Sequence, residues 1–268
     1  MQGPLRLAYE RQGRVGDPVV LVHGGWDDHR LWAGVLPRLS ELVQVLAPDR
    51  RGHGESAGPP RTHPVRDDAE DIARLLEATG EFPAHLVGHG YGGAVGLRLA
   101  VDRPELVRSV ALHEPPFFGC LGAGGGVAGP VAALKDLIDK AHAGRASEAA
   151  EGFLSTFAAP GEGWAALGAR VREVMAANAE SWAEEMDDPE AVHPLLEELR
   201  GVAVPVLVTV GAQSPEFVRE VALRVASDLG NASSSVLPDT GHFIPRTDPD
   251  LYVGVLGSFL LERNVPST

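Results

Sequence analysis

The stretch LVGHGYGGAVGLRLA, residues 86–100, decides the fold of this 268-residue chain. It reads as a short apolar strand, a sharp glycine-rich turn and a helix, the layout that displays a nucleophile in the pattern G-x-S-x-G. The frame glycines of the pattern are Gly88 and Gly92. The middle position, where the pattern has serine, is Gly90, so this turn brings no side-chain oxygen. The rest of the sequence must show whether a catalytic site surrounds it.

Aliphatic runs alternate with helical patterns along most of the chain. We predict strands at residues 5–10, 18–23, 42–49, 84–89, 106–113, 204–211 and 233–239. Helical periodicity and N-terminal signals predict helices at residues 29–39, 64–78, 91–102, 215–229 and 248–262. The central strands are almost continuously apolar, as expected where both faces are covered. The pattern predicts an α/β fold with a mostly parallel sheet, right-handed crossovers and helices on both faces.

One segment interrupts this alternation. Residues 116–203 show no strand pattern but a glycine-rich loop, followed by amphipathic helices predicted at 130–143, 146–158, 162–186 and 189–200. A helical block inserted between two strands of such a sheet is expected to cover the carboxyl ends of the strands, where ligands bind. We therefore predict a core formed by residues 1–115 and 204–268, and a helical cap formed by residues 116–203.

Composition limits the binding partners and the cellular compartment that we expect for this protein. A net charge of −14 and a pI near 5.1 disfavour nucleic acids and anionic membranes. The single cysteine, Cys120, excludes an intrachain disulfide framework, and the N-terminus lacks a signal-peptide pattern, so a cytoplasmic protein is expected. The ten histidines are scattered without the spacing of metal ligands, so we predict no metal site and no cofactor. A homodimer stays possible.

The loop after the second predicted strand carries the first candidate site residues. It reads His23-Gly24-Gly25-Trp26, and glycine there lets the backbone approach a developing oxyanion closely. In a hydrolytic site of this layout, such a loop supplies one backbone N–H and the residue after the nucleophile supplies the other. We therefore predict an oxyanion hole formed by Gly25 or Trp26 together with Tyr91.

A base and an acid are also present. His242 lies in the loop between the last strand and the terminal helix, where the base is expected in the order nucleophile, acid, histidine. The turn after strand 204–211 is the usual place for the acid, but it holds Ser214, interpreted here as a helix N-cap before Pro215. Glu114, at the end of strand 106–113, is the alternative acid.

The segment PDRRGHGES, residues 48–56, contains a further histidine. We interpret it as a structural turn in which Asp49 and the arginines form local hydrogen bonds. His53 is therefore placed outside the catalytic site.

Together these features resemble the alpha/beta-hydrolase superfamily over essentially the whole chain, and within it the zearalenone lactonase group. The closer resemblance is carried by HEPP (113–116), TVGAQSP (209–215), the cap segment 161–182 and PDTGHFIP (238–245). In that group a Ser–His–Glu triad hydrolyses a macrocyclic resorcylic lactone, and a tryptophan late in the cap contacts the substrate. The resemblance implies His242 as base, Glu114 as acid, Trp182 as substrate contact and Gly90 at the place of the serine.

The expected substrate is a small apolar ester or lactone with aromatic or macrocyclic character. Its predicted contacts are Trp182, Trp26, Phe117, Phe153 and Met186.

Three interpretations of Gly90 stay open. The glycine is an engineered replacement that inactivates a hydrolase, or it belongs to a natural enzyme in which His242 and Glu114 act as a general base without covalent catalysis. Alternatively, the protein is a non-enzymatic binder that uses an inherited pocket.

Overall fold

The computed structural model describes residues 7–56, 64–121, 128–158, 163–194 and 196–261, and a seven-stranded sheet forms its centre. The strands are β1 (Tyr9–Gln12), β2 (Pro18–Val22), β3 (Gln44–Pro48), β4 (Ala84–His89), β5 (Val107–His113), β6 (Val206–Gly211) and β7 (Ala232–Leu237). Their spatial order is β1-β3-β2-β4-β5-β6-β7. Only β1 runs antiparallel to its neighbour, so the predicted mostly parallel α/β sheet is confirmed.

The helices follow the predicted alternation. They are α1 (Leu36–Leu39), α2 (Val65–Thr79), α3 (Tyr91–Asp102), α4 (Ala128–His142), α5 (Ala146–Phe153), α6 (Ala169–Asp187), α7 (Pro189–Val192), α8 (Leu196–Arg200), α9 (Glu216–Asp228), α10 (Ile244–Thr247) and α11 (Pro249–Leu261). A 3-10 turn, His29–Ala33, precedes α1, so the predicted helix 29–39 is divided. None of the helices in the described ranges is long and apolar enough to cross a bilayer.

Successive side chains of the central strands enter opposite cores, because the side-chain period of a strand is two residues. Val19 and Leu21 of β2 pack in the core that contains α1 and α11. Val20 and Val22 pack in the core that contains α2, α3, α9 and residues of α4, α5 and α6. Helices thus cover both faces of the sheet, which explains why the central strands are apolar throughout.

The turn between β4 and α3 is as sharp as the sequence predicts. Gly90 has φ +52° and ψ −120°, a conformation that is costly for residues with a side chain. A β-carbon placed on Gly92 would overlap the carbonyl oxygens of Val22 and His23 in the neighbouring strand. The N–H of Gly90 donates to the carbonyl oxygen of His113 over 2.9 Å, which ties the turn to the end of β5.

Between β5 and β6, the described residues form helices and turns and contain no strand. A π-helical turn, Leu154–Ala158, follows α5, and a 3-10 turn, Trp164–Ala166, precedes α6. The predicted helix 189–200 is divided into α7 and α8, because Pro194 cannot continue a helix. Parts of the predicted glycine-rich loop and of the segment 161–182 lie outside the described residues.

Candidate active site

The structure brings His242 and Glu114 together, although they are 128 positions apart in the chain. Nδ1 of His242 lies 2.9 Å from Oε2 of Glu114, and both side chains are buried. A carboxylate can only accept, so Nδ1–H donates and Nε2 is left with its lone pair. This is the arrangement in which a carboxylate fixes the tautomer of a histidine that acts as a general base.

The unprotonated nitrogen of this pair borders position 90. A β-carbon placed on Gly90 would lie 3.7 Å from Nε2 of His242 and 3.9 Å from Cα of Gly24. The nearest atom would be Cε1 of His242 at 3.6 Å, an ordinary van der Waals distance. Position 90 therefore has room for a β-carbon between the candidate base and the glycine loop.

Glu114 is held in place by its backbone and by two donors. Its φ of +47° lies in the left-handed region that residues with a side chain rarely adopt, and such strain concentrates at functional sites. The hydroxyl of Ser214 donates to Oε1 over 2.5 Å, and the N–H of Gly211 donates to the same oxygen over 2.9 Å. The interpretation of Ser214 as a helix N-cap is wrong, because Pro215 occupies the N-cap of α9 and the Ser214 hydroxyl turns toward the acid.

Burial shifts the pKa values of His242 and Glu114 in opposite directions, because it disfavours the charged form of each group. It lowers the pKa of His242, so the imidazole is neutral at neutral pH. It also raises the pKa of Glu114, while the nearby His113 and the hydrogen bonds from Ser214 and Gly211 act against that rise. A neutral imidazole is the form that can accept a proton.

A second histidine, His89, forms a hydrogen bond to the loop that carries His242. Nε2 of His89 lies 2.8 Å from the carbonyl oxygen of His242 and donates to it, and the two ring centroids are 4.3 Å apart. Burial lowers the pKa of His89 well below its usual value, so this ring is also neutral. Sequence reasoning missed this role, and the signal was the position of His89 directly before Gly90 in the turn.

The predicted oxyanion-hole residues lie close to the pair formed by His242 and Glu114. Gly25, Trp26 and Tyr91 all line one cavity with His242 and Glu114. Tyr91 is the first residue of α3, where backbone N–H groups have no acceptor within the helix. The positive end of the helix dipole lies at the same place, which favours a developing negative charge.

This active-site cavity has aromatic walls. Trp26 stacks on Trp182 of α6 with ring centroids 4.4 Å apart, and Phe153 lies 5.2 Å from Trp26 and 5.7 Å from His242. Met186 completes the predicted contacts. The cavity is also lined by Gly24, Asp27, His89, Pro115, Pro116, Phe118, Leu134, Phe157, Val218, Val221 and Phe243.

Phe117 does not line this cavity, so its prediction as a substrate contact needs correction. It is buried and borders a second cavity, lined also by Leu97 of α3 and Pro189 of α7. Neighbouring residues of the turn after β5 face different sides, and Phe118 is the one that lines the active-site cavity.

Residues 48–56 form a turn, but the prediction of local hydrogen bonds from its arginines is wrong for most of their side-chain contacts. The Arg50 side chain reaches His23 and Glu185, and the Arg51 side chain reaches Asp71.

Asp49 accepts hydrogen bonds from the N–H groups of His29 and Glu55, each over 2.7 Å. Asp28, His29 and Asp49 are close enough to bind a metal ion, with candidate ligand atoms within 4.8 Å of one another. Arg30 already binds Asp28, and His29 binds Asp49 through Nδ1, so these carboxylates have protein partners. We assign no metal or cofactor to this group.

The sequence of this chain matches a known protein family. The model of the alpha/beta hydrolase family matches residues 19–255. A stretch of 115 residues is 38% identical to the dihydrolipoyllysine-residue acetyltransferase component of the acetoin cleaving system of Cupriavidus necator, covering 43% of this chain and 31% of that protein. The chain spans about a third of the length of the curated relatives it matches.

Solved structures share the fold over nearly the whole chain. A thermophilic esterase from Thermogutta terrifontis is 24% identical with a TM-score of 0.77, covering 97% of this chain and 94% of that one. The enol-lactonase from Burkholderia xenovorans LB400 is 22% identical with a TM-score of 0.74, covering 95% and 96%. With the family match over residues 19–255, the chain belongs to the alpha/beta hydrolase family.

Proposed function

We propose that this protein hydrolyses an apolar carboxylic ester or lactone by direct attack of water, without a covalent acyl-enzyme. One observation carries the proposal. Nε2 of His242, whose partner nitrogen is bound to Glu114, faces a position 90 that has no side chain. A water molecule in that space has a general base beside it and a carbonyl-binding loop on its other side.

The proposed reaction begins when Nε2 of His242 removes a proton from this water. The water oxygen forms a bond to the carbonyl carbon, and the carbonyl oxygen takes the negative charge at the N–H groups of Tyr91 and of Gly25 or Trp26. The tetrahedral intermediate then expels the alcohol oxygen, which takes the proton from His242. Glu114 stabilises the imidazolium that exists between these two proton transfers.

The aromatic walls support an apolar substrate. Trp26, Phe153 and Trp182 surround the base with flat hydrophobic surfaces, which suits an aromatic or macrocyclic ester better than a charged one. The esterase and the enol-lactonase among the structural relatives act, by their names, on bonds of this class. We therefore propose an ester or lactone as the substrate, and a resorcylic macrolactone as the first compound to test.

Steady-state and pre-steady-state hydrolysis of aryl esters and a resorcylic lactone tests the proposal. The protein should turn over at least one of them without an initial burst of alcohol, and His242→Ala should abolish the reaction. His142→Ala serves as the matched control, because His142 is exposed on the cap. Full activity in His242→Ala, or a burst in the unmodified protein, would show that the mechanism is wrong.

The second candidate function is a covalent hydrolase whose nucleophile has been removed. It is favoured by the fit of a β-carbon at position 90, which would contact nothing closer than 3.6 Å. Gly90→Ser should then give faster hydrolysis with a burst, and a fluorophosphonate should label that variant but not the unmodified protein. A folded Gly90→Ser protein that neither hydrolyses nor becomes labelled would exclude this candidate.

A further inference from the structure

A buried ion pair joins the cap to the core beside the active-site cavity. Arg50 follows β3 in the core, and its Nη2 donates to Oε1 of Glu185, on cap helix α6, over 2.5 Å. Both side chains are almost fully excluded from solvent. Because burying two charges costs desolvation free energy that their attraction offsets only in part, such a pair is a poor device for stability alone. Its surroundings indicate another role.

Arg50 contacts both segments that carry the proposed oxyanion donors. The backbone N–H of Arg50 donates to Nε2 of His23 over 3.0 Å, and the side-chain Nε of Arg50 donates to the carbonyl oxygen of His23 over 3.2 Å. Its guanidinium group lies 4.6 Å from the centre of the Tyr91 ring. One side chain therefore links the glycine loop, the start of α3 and, through Glu185, the cap.

Glu185 also touches the glycine loop directly. A β-carbon placed on Gly25 would overlap Oε2 of Glu185 and would lie 2.9 Å from Cδ1 of Trp182. Trp182 lies one turn before Glu185 on α6 and stacks on Trp26, the next residue of the loop. One face of α6 thus contacts both Gly25 and Trp26, the loop residues whose N–H groups are candidates for the oxyanion hole.

We propose that Glu185 is a positioning residue through which the cap holds the oxyanion loop, by its contact with Gly25 and by its ion pair with Arg50. The proposal rests on the proposed function, because it concerns stabilisation of the charge that develops during ester hydrolysis. Asp68 lies near the same guanidinium group, with Oδ2 3.6 Å from Nη1 of Arg50. Arg50 therefore keeps one carboxylate nearby when Glu185 is replaced.

The test compares Glu185→Gln with the unmodified protein, using two ligands that share the same aryl group. An aryl phosphonate monoester carries tetrahedral anionic oxygens, and the corresponding aryl ketone is neutral and planar at the matching atom. We expect the affinity for the phosphonate to fall about 10- to 100-fold, less than the roughly 100- to 1,000-fold effect of removing an oxyanion-hole donor itself, because Glu185 acts through the loop. The affinity for the ketone should change less than about threefold, and kcat should fall with KM nearly unchanged.

A purely electrostatic role predicts the opposite result. Removing the carboxylate leaves the charge of Arg50 less neutralised, so phosphonate binding would become tighter in Glu185→Gln. Glu185→Asp separates the two roles further, since it keeps the charge but shortens the side chain by one methylene group. A positioning role predicts weaker phosphonate binding in this variant as well, whereas wild-type affinity would overturn the proposal.

Two controls complete the experiment. Glu180→Gln changes an exposed carboxylate of the same helix and should leave both affinities unchanged. Melting temperatures of all variants separate misfolding from misplacement, and Glu185→Asp carries the test if Glu185→Gln does not fold. The same substitutions in a Gly90→Ser background keep the two proposals distinct. If the unmodified chain binds the phosphonate but hydrolyses no ester, the proposed function alone is contradicted. If Glu185→Gln binds the phosphonate with unchanged affinity, this inference alone is contradicted.

Discussion

The hydroxyl of Ser214 and Oε1 of Glu114 are 2.5 Å apart, although the two residues are 100 positions apart in the chain. Ser214 stands in the turn after β6, the usual place for the acid of the triad. Glu114, the proposed acid, lies one strand earlier, and Ser214 donates a hydrogen bond to it. The turns after β5 and β6 thus meet at this carboxylate.

We expect Ser214→Ala to weaken catalysis through Glu114. Removal of a donor to the carboxylate favours its protonated form, so the pKa of Glu114 rises further. A pH–rate profile should show a lower maximum and an acidic limb moved to higher pH, and the free energy of unfolding should fall by about 1–3 kcal/mol. Ser258→Ala, on the exposed side of α11, is the control. An unchanged profile would contradict the role of Ser214.

Buried histidines should make the protein lose stability in mild acid. Burial lowers the pKa of His53 and of His113 to about 3. Below the unfolded value of about 6.5, the unfolded chain binds protons that the folded chain does not, so each such histidine costs about 1.4 kcal/mol per pH unit. Urea unfolding at pH 7, 6 and 5 should show a free energy of unfolding that falls as the pH falls. His53→Gln should make this dependence on pH weaker. A slope of zero over this window would contradict the prediction.

The glycines of α3 should differ sharply in their tolerance of a side chain. Gly92→Ala places a β-carbon against the backbone oxygens of β2, so we expect it to destabilise the fold by about 3 kcal/mol or more. Gly96→Ala meets its nearest neighbours at 3.5 Å and replaces a poor helix former, so it should be neutral or stabilising by up to about 1 kcal/mol. Thermal unfolding of both variants measures the difference. Equal stabilities would show that the close approach at Gly92 is relaxed in solution.

Two adjacent phenylalanines should affect substrate binding differently. Phe118 lines the active-site cavity, whereas Phe117 is buried beside the second cavity. Phe118→Ala should therefore raise KM about tenfold or more for aromatic esters, by loss of apolar contact. Phe117→Ala should lower the melting temperature through a cavity in the core but change KM little. A larger effect of Phe117→Ala than of Phe118→Ala on KM would support the prediction that Phe117 contacts the substrate.

Local patterns carry most of the fold and part of the site. The strand, turn and helix around Gly90 follow from glycine and apolar spacing within a few residues, and the position of His242 follows from the order of the elements. The direction of Phe117 depends on the path of an irregular turn, which no periodicity encodes. The pairing of Arg50 with Glu185 joins residues 135 positions apart, and a single sequence carries no signal for such a contact.

The hydrogen bond from the N–H of Gly90 to the carbonyl oxygen of His113 has an evolutionary consequence. It fixes the turn through the main chain, directly beside Glu114, and does not depend on the side chain at position 90. A residue with a side chain at position 90 would carry the conformational cost of a positive φ, but it would keep this hydrogen bond beside Glu114. Where a GGY codon encodes Gly90, one nucleotide change gives the serine codon AGY, and the proposed water-based mechanism and the covalent alternative would then be one point mutation apart.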